Sequence, residues 1–101
     1  MQHKISDAEM SITFEEDLVS TSVKEYLSRC KEILAGQKNL KKVVADIGKV
    51  KMIDSQGLNL LVGLYQECNK RKLAFQITGT SPSLKRLFDF VKMSDRFGVK
   101  S

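Results

Sequence analysis

The spacing of apolar residues in this chain changes several times between the period of a strand and the period of a helix. Residues 10–14 alternate apolar and polar side chains, as in a strand with one buried face. Residues 40–47 and 73–78 are short segments with apolar centres, which favours two further strands. Between these segments the apolar residues step by three and four, as on one face of a helix. The sequence therefore predicts an α/β domain in which strands and helices alternate.

The first helical segment covers residues 19–34, whose apolar side chains form one stripe. The hydroxyl-bearing residues 20–22 offer N-caps, and Glu25 is placed to form a capping box with Ser22. Gly36 follows the last apolar residue of the stripe and fits the end of the helix. A single amphipathic helix is therefore expected between the first two long strands.

The second helical segment opens at Asp54 or Ser55 and runs to about Arg71. Its apolar residues cover more than one narrow stripe, because Leu60 and Leu64 widen the main apolar face. Such a helix is either deeply buried or covered on its second flank by something else. In the second case these two leucines are candidates for a permanent interface, together with Phe90.

The third helical segment begins at Ser81-Pro82, where serine is an N-cap and proline occupies the first helical position. Its predicted inner face consists of Leu84, Leu87, Phe88 and Val91. Phe97 and Val99 are candidates for a short edge strand at the end of the chain.

A candidate hairpin at the beginning of the chain decides the type of sheet. Residues 4–5 can pair with residues 10–14 through a turn at 6–9, and such a pair is antiparallel. Strands joined by crossover helices are parallel. The predicted fold class is therefore α/β, with one domain over residues 1–101. Its mixed sheet is expected to have about four to five strands, packed by about three to four helices.

The charge and hydropathy of the chain restrict its partners. The net charge is +5, but the basic residues are scattered and form no long stretch with aromatic residues between them. A solvated, lysine-rich surface is therefore favoured over direct nucleic acid binding. The longest apolar run, Leu60-Leu61-Val62, is far shorter than the roughly 20 residues of a membrane span. No apolar signal core follows residues 1–4, so a cytoplasmic protein without membrane insertion is expected. The sequence does not indicate an oligomeric state.

Residue types that carry catalysis or bind metals are sparse. The sequence has one histidine, His3, and a Ser-His-Asp triad would need it. Cys30 and Cys68 lack the spacing of a metal site, and their apolar neighbours indicate reduced, buried thiols. The segment 79–81 could hold a phosphate at a helix N-terminus, although a plain strand-to-helix turn is the favoured interpretation. No catalytic residue, metal or cofactor is therefore predicted.

The segment Asp54-Ser55-Gln56-Gly57 is the strongest candidate for a functional site. Asp54 and Ser55 can cap the second helix, and Gly57 falls in its first turn, where it costs about 1 kcal/mol relative to alanine. A close-packed partner or loop would explain that glycine. Phosphorylation of Ser55 would add about −1.5 to −2 charges, which the positive end of the helix dipole would tolerate. Physical chemistry alone favours simple capping over such a switch.

A family resemblance favours the phosphorylation switch over simple capping. The segment Met52-Ile53-Asp54-Ser55-Gln56-Gly57-Leu58 resembles the signature of the STAS family, which includes bacterial anti-sigma factor antagonists. In that signature an apolar residue precedes Asp-Ser-Ser/Thr-Gly-Leu after a strand and at the start of a helix. The later segment 81–89 resembles the third helix of the same family. Two positions differ from many members: Gln56 replaces Ser or Thr, and Val19 replaces Asp.

The resemblance implies a non-enzymatic domain that binds an anti-sigma factor serine kinase. In that scheme the unphosphorylated domain captures the kinase, which then phosphorylates Ser55, and the complex dissociates. The resemblance implies partner binding by Asp54, Ser55, Gln56, Gly57, Leu58 and Thr21, with Asp54 shaping the loop.

Two alternatives remain open from the sequence. A STAS domain can also be an interaction subunit of a lipid-transport or chemotaxis assembly that never meets a kinase, and Ser55 is then only a cap. Nucleic acid binding is supported only by the net charge of +5.

Overall fold

The protein is described by a computed structural model that covers residues 1–23 and 25–90. Two strands come first, β1 (Gln2–Ser6) and β2 (Glu9–Thr13), and two helices follow them, α1 (Ser20–Val23) and α2 (Tyr26–Ala35). The chain continues through β3 (Lys42–Asp46), α3 (Ser55–Lys70), β4 (Ala74–Thr78) and α4 (Pro82–Phe90). The predicted alternation of strands and helices is confirmed.

The described strands form one mixed sheet in the order β1-β2-β3-β4. Strand β1 is antiparallel to β2, whereas β2, β3 and β4 are mutually parallel. The turn between β1 and β2 consists of Asp7 and Ala8, whose φ angles of 51° and 65° both lie in the left-handed region. Two such residues are typical of the type I′ turn that joins twisted strands in a hairpin. The predicted N-terminal hairpin is therefore present.

The core lies on one face of the sheet, against the helices. Alternate residues of β2 and β3 are buried and the residues between them are half-buried, as expected for strands with one covered face. The helices and the loops that follow β2 and β3 contribute the remaining buried side chains, the loops through Phe14, Leu18, Ile47 and Val50, and all form one cluster with the buried residues of the strands. Leu60 is only 2 % exposed and Leu64 is fully buried, so the wide apolar face of α3 is explained by deep burial.

Both cysteines lie in this core as free thiols, as predicted. Burial raises the pKa of Cys30 to about 11. Burial and, secondarily, the carboxylate of Glu67 raise the pKa of Cys68 to about 12.

The prediction of one helix over residues 19–34 is wrong, because two helices occupy this range. Helix α1 ends at Val23, and α2 begins at Tyr26 with Glu25 as its N-cap. Ser22, predicted as the cap of a capping box with Glu25, lies inside α1, and Glu25 is itself the N-cap of α2, so the helix beginning is not the one predicted. The apolar spacing that suggested one helix reflects two short helices that bury side chains in the same core, Val23 from α1 and Cys30 and Leu34 from α2.

The other predicted helices are confirmed with small shifts of their ends. Helix α3 has Asp54 as N-cap and Arg71 as C-cap. Helix α4 begins at Pro82, and the hydroxyl oxygen of Ser81 accepts a hydrogen bond from the Leu84 N–H at 3.2 Å. On its predicted inner face Leu84 and Phe88 are buried and Leu87 is partly buried. Val91 and the candidate edge strand at Phe97 and Val99 lie outside the described residues.

The hairpin turn generates a prediction about stability. Alanine in the left-handed region costs about 1–2 kcal/mol, whereas glycine avoids that cost and adds about 0.4–1 kcal/mol of chain entropy in the unfolded state. We therefore expect Ala8→Gly to raise the free energy of unfolding by about 0.5–1 kcal/mol, measured by chemical denaturation. Ala74→Gly, at an exposed position of β4, is the control and should lower it by about 0.5–1 kcal/mol. Equal effects of the two substitutions would contradict the turn geometry.

Candidate functional site

The beginning of α3 lies where the chain leaves β3 and enters the helix. Asp54 has extended backbone angles, φ −93° and ψ −174°, as N-cap residues usually do. Its carboxylate oxygen Oδ1 accepts a hydrogen bond from the Gly57 N–H at 2.9 Å. Its carbonyl oxygen accepts the first helical bond, from the Leu58 N–H at 2.9 Å. Of the two residues considered as caps, Asp54 is the N-cap, and Ser55 is the first residue of the helix.

Asp54 also bonds a second segment of the chain. Its other carboxylate oxygen, Oδ2, accepts a hydrogen bond from the Ser20 N–H at 2.9 Å, at the start of α1. These two bonds, first that from Gly57 and then that from Ser20, lower the pKa of Asp54 because they stabilise the ionised carboxylate. One side chain thus links the first turn of α3 to the first residue of α1.

Gly57 is the point of closest approach between these two segments. A Cβ atom built on Gly57 would lie 1.9 Å from the carbonyl oxygen of Leu18 and 2.8 Å from its carbonyl carbon. That carbonyl oxygen also accepts a hydrogen bond from the Asp54 N–H at 3.1 Å. Only a residue without a side chain fits here, which explains the glycine that helix propensity disfavours.

The loop before α3 is held by further bonds. Asp17 accepts hydrogen bonds through Oδ1 from the N–H groups of Lys51 and Met52, at 2.8 and 3.2 Å. The Leu18 N–H donates to the carbonyl oxygen of Met52 at 3.0 Å, and Leu18 forms an isolated parallel bridge with Ile53. The segment after β2 and the segment before α3 are therefore joined along their length. Sequence analysis missed the roles of Asp17, Leu18 and Ser20, because these residues lie about 34 positions from their partners.

The predicted partner-binding residues occupy different positions at this site. Ser55 and Gln56 are exposed, Leu58 is half-buried, and Gly57 is buried against Leu18. Thr21 belongs to α1, one residue after the Ser20 that donates to Asp54, and its side chain lies outside the described part of the structure.

A shallow groove begins next to Ser55. It has a volume of about 240 Å³ and lies between α3 and the two helices that precede β3. It is lined by Val23, Leu27, Gln56, Asn59 and Leu60. Among residues 1–23 and 25–90, no group of three or more His, Cys, Asp or Glu side chains is arranged to hold a metal ion.

The second turn considered from the sequence, at residues 79–81, has a structural explanation. Gly79 has a φ of 75°, and a Cβ atom there would lie 2.7 Å from the backbone nitrogen of Gly48. Thr80 is 5 % exposed, and the Ser81 hydroxyl caps α4. These contacts are those of a tight strand-to-helix turn packed against the loop after β3.

The contact at Gly57 generates a prediction. Gly57→Ala should lower the free energy of unfolding by about 3 kcal/mol, because the Leu18 carbonyl must move away and lose its bond to the Asp54 N–H. Gly36→Ala is the matched control, since its added Cβ would lie 3.6 Å from the carbonyl oxygen of Ile33, an ordinary contact. That substitution should change stability by less than about 0.5 kcal/mol in chemical denaturation. A similar effect at both glycines would refute the close approach.

The bonds of Asp54 predict a pH dependence. The folded-state pKa of Asp54 lies below its ordinary value of 3.8, so its stabilising contribution is complete above that value. The contribution is lost as the pH falls through the folded-state pKa. Asp54→Asn should therefore lower the melting temperature at pH 7, and the difference from the wild type should shrink below pH 3.8.

The control for this experiment is Asp89→Asn, which removes an exposed ion pair with Lys85. Exposed ion pairs contribute little to stability, so its melting temperature should stay near that of the wild type at neutral pH. A difference between wild type and Asp54→Asn that stays constant down to pH 2 would show that the carboxylate bonds do not matter.

Several solved structures share this fold. A Thermotoga maritima protein assigned as an anti-sigma factor antagonist superposes with a TM-score of 0.88 at 14 % identity, over 99 % of this chain and 85 % of that one. The antagonist SpoIIAA, unphosphorylated, gives 0.81 at 15 %, over 99 % and 87 % of the two chains. This Bacillus cell fate determinant has also been solved phosphorylated. A sulfate transporter family protein of Wolinella succinogenes gives 0.77 at 17 %, over 95 % and 79 %.

Identities this low establish a common fold and leave the function of this chain to its own residues. In the described residues, no helix is both long enough and apolar enough to cross a membrane. The family model of the STAS domain matches residues 1–101, the whole chain. Together with the four-stranded mixed sheet and its helices, this match shows that the chain belongs to the STAS domain family.

Proposed function

We propose that this chain is a non-enzymatic signalling domain of the anti-sigma factor antagonist type. It binds an anti-sigma factor serine kinase through the beginning of α3, and phosphorylation of Ser55 dissociates the complex. The observation that carries the proposal is the position of Ser55. Its side chain is exposed, it is the first residue of α3, and the residue before it is hydrogen-bonded both to the first turn of α3 and to the first residue of α1.

A fixed backbone suits a docking site, because little conformational freedom is lost when the partner binds. The bonds of Asp54 and the contact between Gly57 and Leu18 provide that rigidity. In this proposal Ser55 and Gln56, both exposed, contact the partner. Gln56 also lines the neighbouring groove, so the contact surface extends into that groove. Asp54 and Gly57 act by shaping the loop, while Leu58 supports it from a half-buried position.

A phosphate on Ser55 would change the charge of this surface without unfolding the helix. The phosphoryl group adds about −1.5 to −2 charges beside the carboxylate of Asp54. The N-terminal end of the helix dipole and the N–H groups of the first turn favour that negative charge. A partner surface that fits the exposed hydroxyl would then face a group with three further oxygens and a larger negative charge. The expected result is dissociation with an intact fold.

The geometry of Asp54 supports a loop-shaping role over a catalytic one. Both of its carboxylate oxygens accept backbone hydrogen bonds, and its pKa lies below 3.8. General bases work best when their pKa lies near the working pH, so this carboxylate is poorly suited to proton transfer at neutral pH.

The alternative of a permanent interaction subunit of a lipid-transport or chemotaxis assembly loses part of its support. Leu60 and Leu64, the leucines considered for a permanent interface, are 2 % and 0 % exposed, so they are core residues. The side chain of Phe90 lies outside the described part of the structure. Stoichiometric recovery of a transporter ATPase or a chemotaxis protein with the native chain would still favour this alternative.

The phosphorylation test uses purified anti-sigma factor kinases of the source organism with ATP, followed by intact-mass spectrometry. The wild type should gain one phosphate, and Ser55→Ala should gain none. Ser83→Ala is the matched control, because Ser83 is also exposed and lies in the first turn of a helix, α4. This control should gain one phosphate. If the wild-type chain gains no phosphate with any of these kinases, the proposal that phosphorylation of Ser55 switches binding is refuted.

Binding affinity provides the second readout. Ser55→Asp places a negative charge at the switch position and should weaken kinase binding by about tenfold or more, measured by calorimetry. Ser83→Asp should leave the affinity unchanged. Circular dichroism should show that both variants are folded. Equal affinities of the Ser55→Asp and wild-type chains would contradict dissociation by charge.

A further inference from the structure

Met52 is exposed to an unusual degree for a large apolar residue. Its relative exposure is 59 %, and among the side chains that the structure describes the other exposed large hydrophobic residue is Ile5, at only 39 %. Exposure of a methionine side chain is unfavourable in water, because its apolar surface remains solvated. Neither the cap of α3 nor the packing at Gly57 requires an apolar side chain at this position.

The backbone of Met52 is fixed on both sides, although its side chain is free. Its N–H donates to Asp17 Oδ1 at 3.2 Å, and its carbonyl oxygen accepts from the Leu18 N–H at 3.0 Å. The next residue, Ile53, pairs with Leu18 in a parallel bridge. An exposed apolar residue on such a backbone is preorganised, so a partner that buries it orders little else.

Such a residue has the properties of an interface anchor. Binding energy concentrates in a few side chains that enter fully desolvated pockets of the partner, and methionine is enriched at interfaces. The flexible thioether side chain adapts to pockets of irregular shape. Met52 lies three residues before Ser55, and three extended residues span at most about 11 Å. A protein that contacts Ser55 can therefore also contact Met52.

The charges around Met52 indicate the kind of partner. Lys49 and Lys51 are exposed in the same loop, and Glu15 and Glu16 are exposed in the segment that precedes Asp17. A rim with both signs of charge around an apolar centre is typical of a protein–protein interface. For a nucleic acid or an anionic membrane, the two glutamates would offset the attraction of the two lysines, so this rim offers such a partner no net attraction.

We propose that Met52 is the apolar anchor of the docking surface beside Ser55. It enters an apolar pocket on the partner protein, and carboxylates at the rim of that pocket face Lys49 and Lys51. The identity of the partner as an anti-sigma factor kinase rests on the proposed function, whereas the anchor itself rests on the exposure and the fixed backbone of Met52.

The test measures the affinity of a purified anti-sigma factor kinase that binds the wild-type chain. Met52→Ala should raise the Kd at least tenfold. Lys51→Glu should also raise the Kd, and the ratio of its Kd to that of the wild type should grow as the salt concentration falls. Ile5→Ala is the matched control, because it also truncates an exposed apolar side chain, on β1. It should change the Kd by less than twofold. Melting temperatures of both alanine variants should match the wild type, since both side chains are exposed. If Met52→Ala binds the kinase as tightly as Ile5→Ala does, the anchor role of Met52 is refuted. Phosphorylation of Ser55 by that kinase would still support the proposed function.

A photo-crosslinking residue at position 52, with position 5 as the control, separates this inference from the proposed function. A crosslink from position 52 alone to an acidic, apolar segment of a protein other than a kinase would support the anchor and refute the kinase. Crosslinks to nucleic acid, lipid or a basic protein segment, or none above the control, would overturn the anchor.

Discussion

The carboxylate of Asp54 is the interaction on which the geometry of the site depends. Its two oxygens accept hydrogen bonds from the N–H groups of Gly57 and Ser20, which belong to α3 and α1. The backbone bonds of Leu18 to Asp54 and Met52 run between the same two segments. The start of α3 is thus bonded to the segment that follows β2. Ser55 therefore lies on a fixed backbone rather than at a free helix end. A short aspartate side chain fits this position because it reaches both N–H groups at 2.9 Å.

Local chemistry made much of the fold predictable. Apolar period separates strands from helices, and cap residues such as Asp54 and Ser81 mark helix beginnings within a residue or two. The break between α1 and α2 was not predictable in this way. Each helix has its own tertiary contacts: α1 is bonded through Ser20 to Asp54 and buries Val23, whereas α2 begins at Tyr26 and buries Cys30 and Leu34. The apolar spacing across the break continues regardless, since both helices face one core.

The position of the site in the sequence was predictable, but the contacts that hold it were not. The glycine at position 57 signalled a close neighbour, yet nothing local identifies that neighbour as the carbonyl group of Leu18. Asp17 bonds residues about 34 positions away, and such pairings leave no trace in one sequence. The exposure of Met52 was not predicted, for a related reason. A single apolar residue in a loop has no period, so its exposure becomes evident only when the surrounding backbone is known.

The buried thiols have a practical consequence for work on this domain. With pKa values of about 11 and 12, Cys30 and Cys68 exist almost entirely as protonated thiols at neutral pH. Both side chains are also 0 % exposed, and accessible thiolates are the species that react with maleimides. A cysteine introduced on the surface would therefore be labelled selectively. Fluorophores or spin labels could be attached near α3 without first removing the native cysteines from the core.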